Sequence, residues 1–492
     1  DADAYAATLE QDGAVIAGFE ARRAEIVGQL AKAAAMVGGG AKPIEDDALL
    51  DEVTALVERP NVLTCQFEPE FLEVPQECLI LTMKANQKYF PLLDAQGKLT
   101  DRFLIVSNIR PADPSRVIQG NERVVRPRLA DAKFFFDQDR KKTLDSRVPG
   151  LAKVVYHNKL GTQGERMERV RAIARAIGQE LGGEALAVQA ELAARLAKAD
   201  LLTDMVGEFP ELQGIMGAYY ARHDGLGDDI AQAIEDHYKP RFAGDELPRG
   251  PLGLAVALAD KLETLAGLFG IGQIPTGDKD PFALRRHALG LIRMLIEREL
   301  PLKLAELIST AFKAFPPGHG QAQGELGFYL RERLEGYLRD AGYSAQEVEA
   351  VIEARPERWA EFPKRLAAVR AFQALPEAQP LAAANKRVGN ILKKSDEAVS
   401  PLVDMVLLTE PAEQALFVEL KSVGPKSLLA FESGDYTGSL QALAALKAPV
   451  DSFFDHVMVN AEDPRLRANR LGLLAQLHAA MNRVADLSKL AG

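Results

Sequence analysis

The 492-residue sequence is poor in the residues that build covalent or metal-bound frameworks: two cysteines, one tryptophan and seven histidines. Cys65 and Cys78 cannot frame a zinc site by themselves, and such sparse use suits a reducing compartment. Both lie in strand-like stretches and read as small buried hydrophobes. No run approaches the ~18 uninterrupted apolar residues of a membrane span. There is no GxxxxGK[ST] phosphate loop, and Gly270-Ile271-Gly272 lacks the third glycine and the preceding strand of a dinucleotide fingerprint. No Ser/His/Asp or Cys/His grouping has recognisable local context, and no HExxH pair occurs. The opening DADAYAATLE begins at Asp1 without the basic-then-apolar pattern of a signal peptide, and reads as a truncated start.

What is present is an ordinary globular composition, 47% hydrophobic and 26% charged, over a length that calls for roughly three or four domains. The net charge of −11 disfavours indiscriminate nucleic-acid binding, which rests on broad phosphate neutralisation. It leaves room for local basic patches. Between Asp101 and Arg147 there are 11 Lys and Arg against 7 Asp and Glu, an island of +4 in an acidic chain. Such an island suits a specific RNA partner better than a scavenger.

Along the chain, residues 1–58 read as helical, broken by Gly38-Gly39-Gly40 and Pro43. From Asn61 the runs NVLTCQF, ECLILTMK, KYFPLLD and RFLIVSNI, separated by turn residues such as Ala95-Gln96-Gly97, predict an antiparallel sheet. The pattern is then helical. One predicted helix carries Leu192, Leu196 and Ala199, and another Leu254, Leu258, Leu262, Leu265 and Phe269. Pro316-Pro317-Gly318 punctuates the next stretch, and Pro376 with Pro380 mark a linker. The expected fold is multidomain and mainly α: an α+β domain over 1–150, a helical domain over 151–300, a helical linker or body region over 301–376, and a C-terminal helical domain over 377–492.

Three constellations carry possible chemistry. Asp200 in AKADLLTDM, His237 in AIEDHY and Asp260 in ALADKLETL resemble the HD superfamily, where histidines and aspartates converge on a divalent metal that activates water. Ala199 stands where the histidine before Asp200 belongs, and His157 is the upstream histidine left to act as first ligand. His237 follows Ile230 and Ile234 on an apolar face, so a satisfied core histidine fits it. The domain therefore reads as a degenerate HD-like scaffold without metal. In GNERVVRPRLADAKFFFDQDRKK, Arg123, Arg126, Arg128 and Lys133 precede Phe134-Phe135-Phe136. Guanidiniums can pair with phosphates and rings can stack on unpaired bases. Equally, at least two of three consecutive phenylalanines belong in a core, and the arginines can pair internally or face another subunit.

The C-terminal PLAAANKRVGNILKKS places Leu381, Ala384, Val388, Ile391 and Leu392 on one helix face. Lys386, Asn390, Lys393 and Lys394 form a polar stripe on another, bordered by Arg387. The stripe is either an RNA-facing surface or simply a solvated face. In DPRLRANRLGLLAQL, Asp463 caps a helix with Pro464 at its first position. Leu466, Leu473, Leu474 and Leu477 pack inward; Arg467 and Arg470 brace the domain or reach its rim; Arg465 and Asn469 face outward, free to touch RNA.

Together these segments resemble one family. KANQKYFPL, SNI, GNERVVRPRLADAKFFFDQD, LGTQGERMERV, ADLLTDMVGEFPELQGIMG, ALADKLETL and PTGDKDPFALRR look like signatures of the glycyl-tRNA synthetase β subunit. FFDHVMVNAEDPRLRANRLGLL looks like the closing half of a DALR-type anticodon-binding domain. The resemblance runs in order from about residue 60 to the C-terminus. Lys393-Lys394-Ser395 is too degenerate to be a class I synthetase ATP signature.

The resemblance implies a β subunit of glycine–tRNA ligase that binds and positions tRNA(Gly) in a cytoplasmic α2β2 assembly. The α subunit would carry the class II site with its ATP and Mg, leaving no catalytic residue and no cofactor on this chain. It also implies a further N-terminal region, making this chain a fragment. No DNA or membrane partner is expected. Two rivals remain: an HD-type phosphohydrolase, which would need another ligand in place of Ala199, and a noncatalytic RNA-binding or assembly factor.

Overall fold

Three of the four β-like runs form strands in the computed structural model, which describes residues 2–395 and 398–492. Strands Lys42–Pro43, Phe90–Leu93, Leu99–Ser107 and Asn61–Gln66 lie side by side in that order, all antiparallel. Asn61 pairs with Ser107 and Gln66 with Arg102, an unbroken register along the longest pairing. Gly97 turns the hairpin at φ +78°, where a side chain would be strained, and Asp94 Oδ1 accepts the N–H groups of Gln96 and Lys98 at 2.9 Å each.

ECLILTMK is not a strand. It forms the helix Gln76–Gln87, ended by Lys88 in the left-handed conformation, so Cys78 is helical while Cys65 sits in a strand. The buried positions Cys78, Leu79, Thr82 and Met83 recur at helical spacing. A continuous apolar run carries too little periodicity to separate the two readings. Both thiols are buried, and burial pushes that of Cys65 up to about 12, keeping it protonated and inert.

Two compact units emerge: Asp1–Tyr156 with Thr162–Gly164 and Arg195–Glu235, and His157–Gly161 with Glu165–Ala194 and Asp236–Gly492. In the first, the helices Phe19–Val37 and Asp47–Leu56 cover one side of the sheet through Ile26, Leu30, Leu50, Val53, Phe90, Leu92 and Leu104. The helix Ser115–Asp139 packs on strand Asn61–Gln66. Asp139 ties the recruited segment 195–235 to this unit. Its carboxylate accepts the N–H groups of Asp204 (2.8 Å) and Met205 (3.0 Å) and the hydroxyl of Tyr220 (2.6 Å). Residues 151–300 are thus shared between the units. Ala199 begins a 3-10 turn, Ala199–Leu202, instead of continuing the helix of Leu192 and Leu196.

The second unit is helical apart from residues of a short two-stranded ribbon. Its axis is Pro251–Gly270, buried from Leu252 to Phe269 and flanked by Leu284–Glu297, Leu304–Lys313 and Gln323–Asp340. Pro380 does not mark a linker; it lies in the first turn of the helix Ala378–Lys393, where a missing N–H costs nothing.

Candidate nucleic-acid interface

Ala378–Lys393 buries Leu381, Ala382, Asn385 and Val388, and packs on Pro464–Met481. The fully buried Asn385 is matched by Asn482 through reciprocal amide bonds of 2.8 and 3.0 Å. With that face fixed, Lys386, Arg387, Asn390, Lys393 and Lys394 all lie exposed along the opposite side. None of the four cations has an ion-pair partner among the described residues. Ala383, Lys386, Arg387, Asn390, Ile391 and Lys394 line a groove of about 400 Å3. The Arg387 guanidinium lies 4.2 Å from the ring centroid of Phe454, on the helix Lys447–His456. Stacking on Phe454 orders the arginine while leaving its donors for a ligand.

The second basic helix behaves as expected only in part. Asp463 caps it by accepting the Arg465 N–H at 2.8 Å, and Arg465 projects into solvent. Arg470 is buried against Glu413 and donates to the Met458 carbonyl at 2.6 Å, a brace and not a surface group. Asn469 does not face outward. It is 5% exposed and exchanges two bonds with the Asp404 backbone, accepting its N–H at 2.7 Å and donating to its carbonyl at 3.0 Å. A buried amide satisfied in this way cannot also read RNA.

In the first unit, Arg123 and Arg128 are exposed on the helix Ser115–Asp139, whereas Arg126 pairs with Glu68. Lys133 is held between Glu73 and Asp137, 3.2 Å from each. Of the three phenylalanines only Phe136 is buried, against Tyr220 and Arg140; Phe135 is half-buried and Phe134 exposed, one core residue where two were expected.

The HD-like positions are each engaged within the protein. His237 is fully buried, its ring 4.0 Å from that of Tyr238. Asp260 pairs with Arg166 at 3.0 Å, so a guanidinium occupies the cationic role beside this carboxylate. His157 Nδ1 accepts the Lys159 N–H at 3.1 Å. Among the described residues no group of three or more His, Cys, Asp or Glu side chains is arranged to hold a metal ion.

Comparison with known proteins identifies these pieces. The family profile described as "Glycyl-tRNA synthetase beta subunit" matches residues 1–353, and that of the "DALR anticodon binding domain" matches residues 381–487. The chain belongs to the glycyl-tRNA synthetase β-subunit family. It is 71% identical over 492 residues to the "Glycine--tRNA ligase beta subunit" of Thiobacillus denitrificans, covering 100% of this chain and 70% of that one. Its identity to the similarly named protein of Dechloromonas aromatica is 71% over 496 residues, with the same coverage. To that of Methylobacillus flagellatus it is 66% over 493 residues, covering 100% of this chain and 69% of that one.

The DALR match contains the whole exposed stripe, Lys386 to Lys394. Within this β-subunit chain, sequence reasoning overlooked the groups that hold the helical body together. Asp236, adjacent to His237, accepts the Arg249 N–H at 2.8 Å and pairs with the Arg249 guanidinium (2.9 Å) and the Lys239 ammonium (3.1 Å). Burial alone would raise its carboxyl; these partners outweigh burial and hold it below the usual range. The available signal was a run of acidic and basic residues, Asp236, Lys239, Arg241, Asp245 and Arg249, just before an apolar helix.

The Asp200 carboxylate is enclosed by its own unit. Its Oδ2 accepts the N–H groups of Gly214 (2.6 Å) and Gly217 (3.0 Å), while Oδ1 is buried with no hydrogen-bond partner among the described residues. A Cβ at Gly217 would come within 2.7 Å of Ile234 and 3.1 Å of Asp200 Oδ2, so glycine is what admits the carboxylate. Burial pushes the Asp200 carboxyl up to about 6, against the opposing pull of the two N–H groups and Lys198. The folded form therefore holds this proton more tightly than the unfolded chain. The stabilisation is complete below about pH 4 and is lost as pH rises through about 6, a swing of about 3 kcal/mol. Asp200→Asn, neutral throughout, should gain on the parent by up to that amount between pH 4 and pH 7. Urea unfolding of both proteins across this range checks it, and parallel stability profiles would remove Asp200 as the cause.

Proposed function

We propose that this chain is the tRNA-holding subunit of a glycine–tRNA ligase: it binds tRNA(Gly) and positions it for ATP-dependent glycylation at the class II site of a separate α subunit. ATP and Mg act on that partner, and no cofactor is assigned to this chain. The assembly proposed is α2β2 in the cytoplasm; among the described residues no helix is long and apolar enough to cross a membrane. We propose 1–150, 151–300, 301–376 and 377–492 as functional segments, the last for the anticodon and the middle two as an HD-like scaffold and helical body, with residues 195–235 of the second segment packed in the first compact unit.

The observation that carries this reading is the exposed basic stripe inside the DALR match, beside a groove with an ordered arginine at its edge. Lys386, Lys393 and Lys394 act as point charges on phosphates, and the exposed Arg465 is proposed as a further phosphate contact. Arg387 and Asn390 carry planar groups that can pair bidentately with a base edge. Arg123 and Arg128 are proposed as a separate phosphate contact on the first unit, with Arg126 available only by exchanging Glu68 for phosphate.

Lys393→Glu/Lys394→Glu should weaken tRNA binding for cognate and anticodon-swapped tRNA alike without unfolding the protein. Every phosphate that the variant no longer neutralises should reduce the salt slope by about 0.7–0.9. Arg387→Ala and Asn390→Ala should reduce discrimination between anticodons more than overall affinity. Titrations of both tRNAs at two salt concentrations check these outcomes. Unchanged affinity and slope in the double lysine variant would leave the stripe as a solvated helix face.

A further inference from the structure

The segment PTGDKDPFALRR has no part in the stripe, yet it is a built loop. Thr276 and Lys279 exchange backbone hydrogen bonds of 3.1 and 2.9 Å, and Gly277 makes the turn at φ +50°. The Asp280 carboxylate accepts the N–H groups of Leu284 (2.8 Å) and Arg285 (2.9 Å), fixing the start of the next helix. The loop, the end of Pro251–Gly270 and one face of Gln323–Asp340 line an open surface cavity of about 850 Å3, within the size range of small-molecule sites.

The lining of this cavity has three distinct chemistries. Phe328 offers a ring that is 65% exposed. Arg285, Arg333, Glu325 and Glu332 supply the cavity's charges; Arg333 lies 5.6 Å from the Tyr329 ring centroid, and neither it nor the two glutamates makes an ion pair with a described residue. Tyr329 is buried beside Phe269, only 8% exposed, its ring tilted against that of Phe269 at 5.2 Å, with its hydroxyl lacking any hydrogen-bond partner among the described residues. A buried hydroxyl left unpaired is costly, and a ligand group that meets it removes that cost.

We infer that this cavity takes one unpaired nucleotide of an RNA strand, its base stacked on Phe328 and its phosphate held by Arg333 and Arg285. Glu325 and Glu332 accept hydrogen bonds from amino or imino groups of the base, and the Tyr329 hydroxyl meets a base or ribose oxygen. An aromatic face, guanidiniums and hydrogen-bond acceptors are what single-stranded RNA sites assemble. Two carboxylates against two guanidiniums leave the lining near neutral. That balance suits the single negative charge of a phosphodiester and disfavours a free triphosphate. The inference rests on the proposed role of the chain in holding tRNA, and adds to the phosphate contacts proposed above one with an unstacked nucleotide.

The test compares Phe328→Ala, Phe328→Tyr, Arg333→Ala and the double Lys393→Glu/Lys394→Glu variant for affinity to tRNA(Gly), using the full chain. Because Phe328 and Arg333 are exposed, their replacement should leave thermal unfolding unchanged. Phe328→Ala should lose roughly 5- to 100-fold in affinity, the effect of one stacked base, and Phe328→Tyr should restore it. Single-stranded RNA should compete for the site and a blunt RNA duplex should not. If the lysine variant is impaired but Phe328→Ala and Arg333→Ala bind tRNA as the parent does, the cavity is overturned and the tRNA reading stands. If only the cavity variants are impaired, the cavity stands and the stripe falls. Phe328-dependent binding of uridine or guanosine monophosphate with no change in tRNA affinity would make this a free-nucleotide site. Loss of α-subunit association alone would make it a protein contact. Either result overturns the RNA assignment.

Discussion

Glu263→Ala should destabilise the helical unit by about 3–5 kcal/mol, enough to threaten its folding. Glu263 is fully buried, and its two oxygens accept from Arg169 and Arg166, each at 2.9 Å. Arg166 also pairs with Asp260 at 3.0 Å and donates to Thr264 Oγ1 at 2.9 Å. Arg169 donates to the Leu160 carbonyl at 3.0 Å and lies 4.8 Å from the Phe315 ring centroid. Two guanidiniums thus share two carboxylates in a site closed to water. Guanidiniums do not deprotonate to escape burial, so deleting Glu263 leaves one uncompensated positive charge inside the unit. Glu263→Gln keeps the shape and an acceptor but removes the charge, and should lose less than alanine. Chemical denaturation of the parent and both variants measures the series. A loss under about 1 kcal/mol for Glu263→Ala would show that water or a rearranged partner reaches the network.

The same network explains what was legible in the sequence and what was not. Leu254, Leu258, Leu262, Leu265 and Phe269 announced a buried helix by their spacing, and all are buried. Asp260 was legible only as a chemical possibility, because the partner that neutralises it lies 94 residues earlier in sequence. Spacing along one helix carries no information about such a cation. The C-terminal stripe was legible because a single amphipathic helix contains it: the apolar arc fixes where Lys386, Asn390, Lys393 and Lys394 must point.

Asn469 failed for the converse reason. It lies four residues before Leu473 and therefore on the packed side, but its polarity suggested solvent; the acceptors and donors that make burial tolerable come from Asp404, in a distant loop. The run ECLILTMK was ambiguous by composition, and tertiary packing decided for a helix. The recruitment of 195–235 into the first unit depends on Asp139, a residue whose role appears only when both segments are in place.

The division of labour has an equally large expected effect. Gly270-Ile271-Gly272 follows the carboxyl end of Pro251–Gly270, so the nearby helix presents carbonyls and a partial negative charge, the wrong end for a phosphate. Lys393 and Lys394 close another helix at its carboxyl end, on the stripe proposed for tRNA. Neither place, among the described residues, presents a helix N-terminus to a nucleotide triphosphate. Glycine-dependent ATP–pyrophosphate exchange, measured on the isolated chain and again with its α subunit, therefore tests the central claim most directly. The account predicts background exchange by this chain alone, although it binds tRNA(Gly), and exchange whenever the α subunit is present. Robust exchange by the isolated chain, persisting after every trace of α subunit is removed, would contradict it.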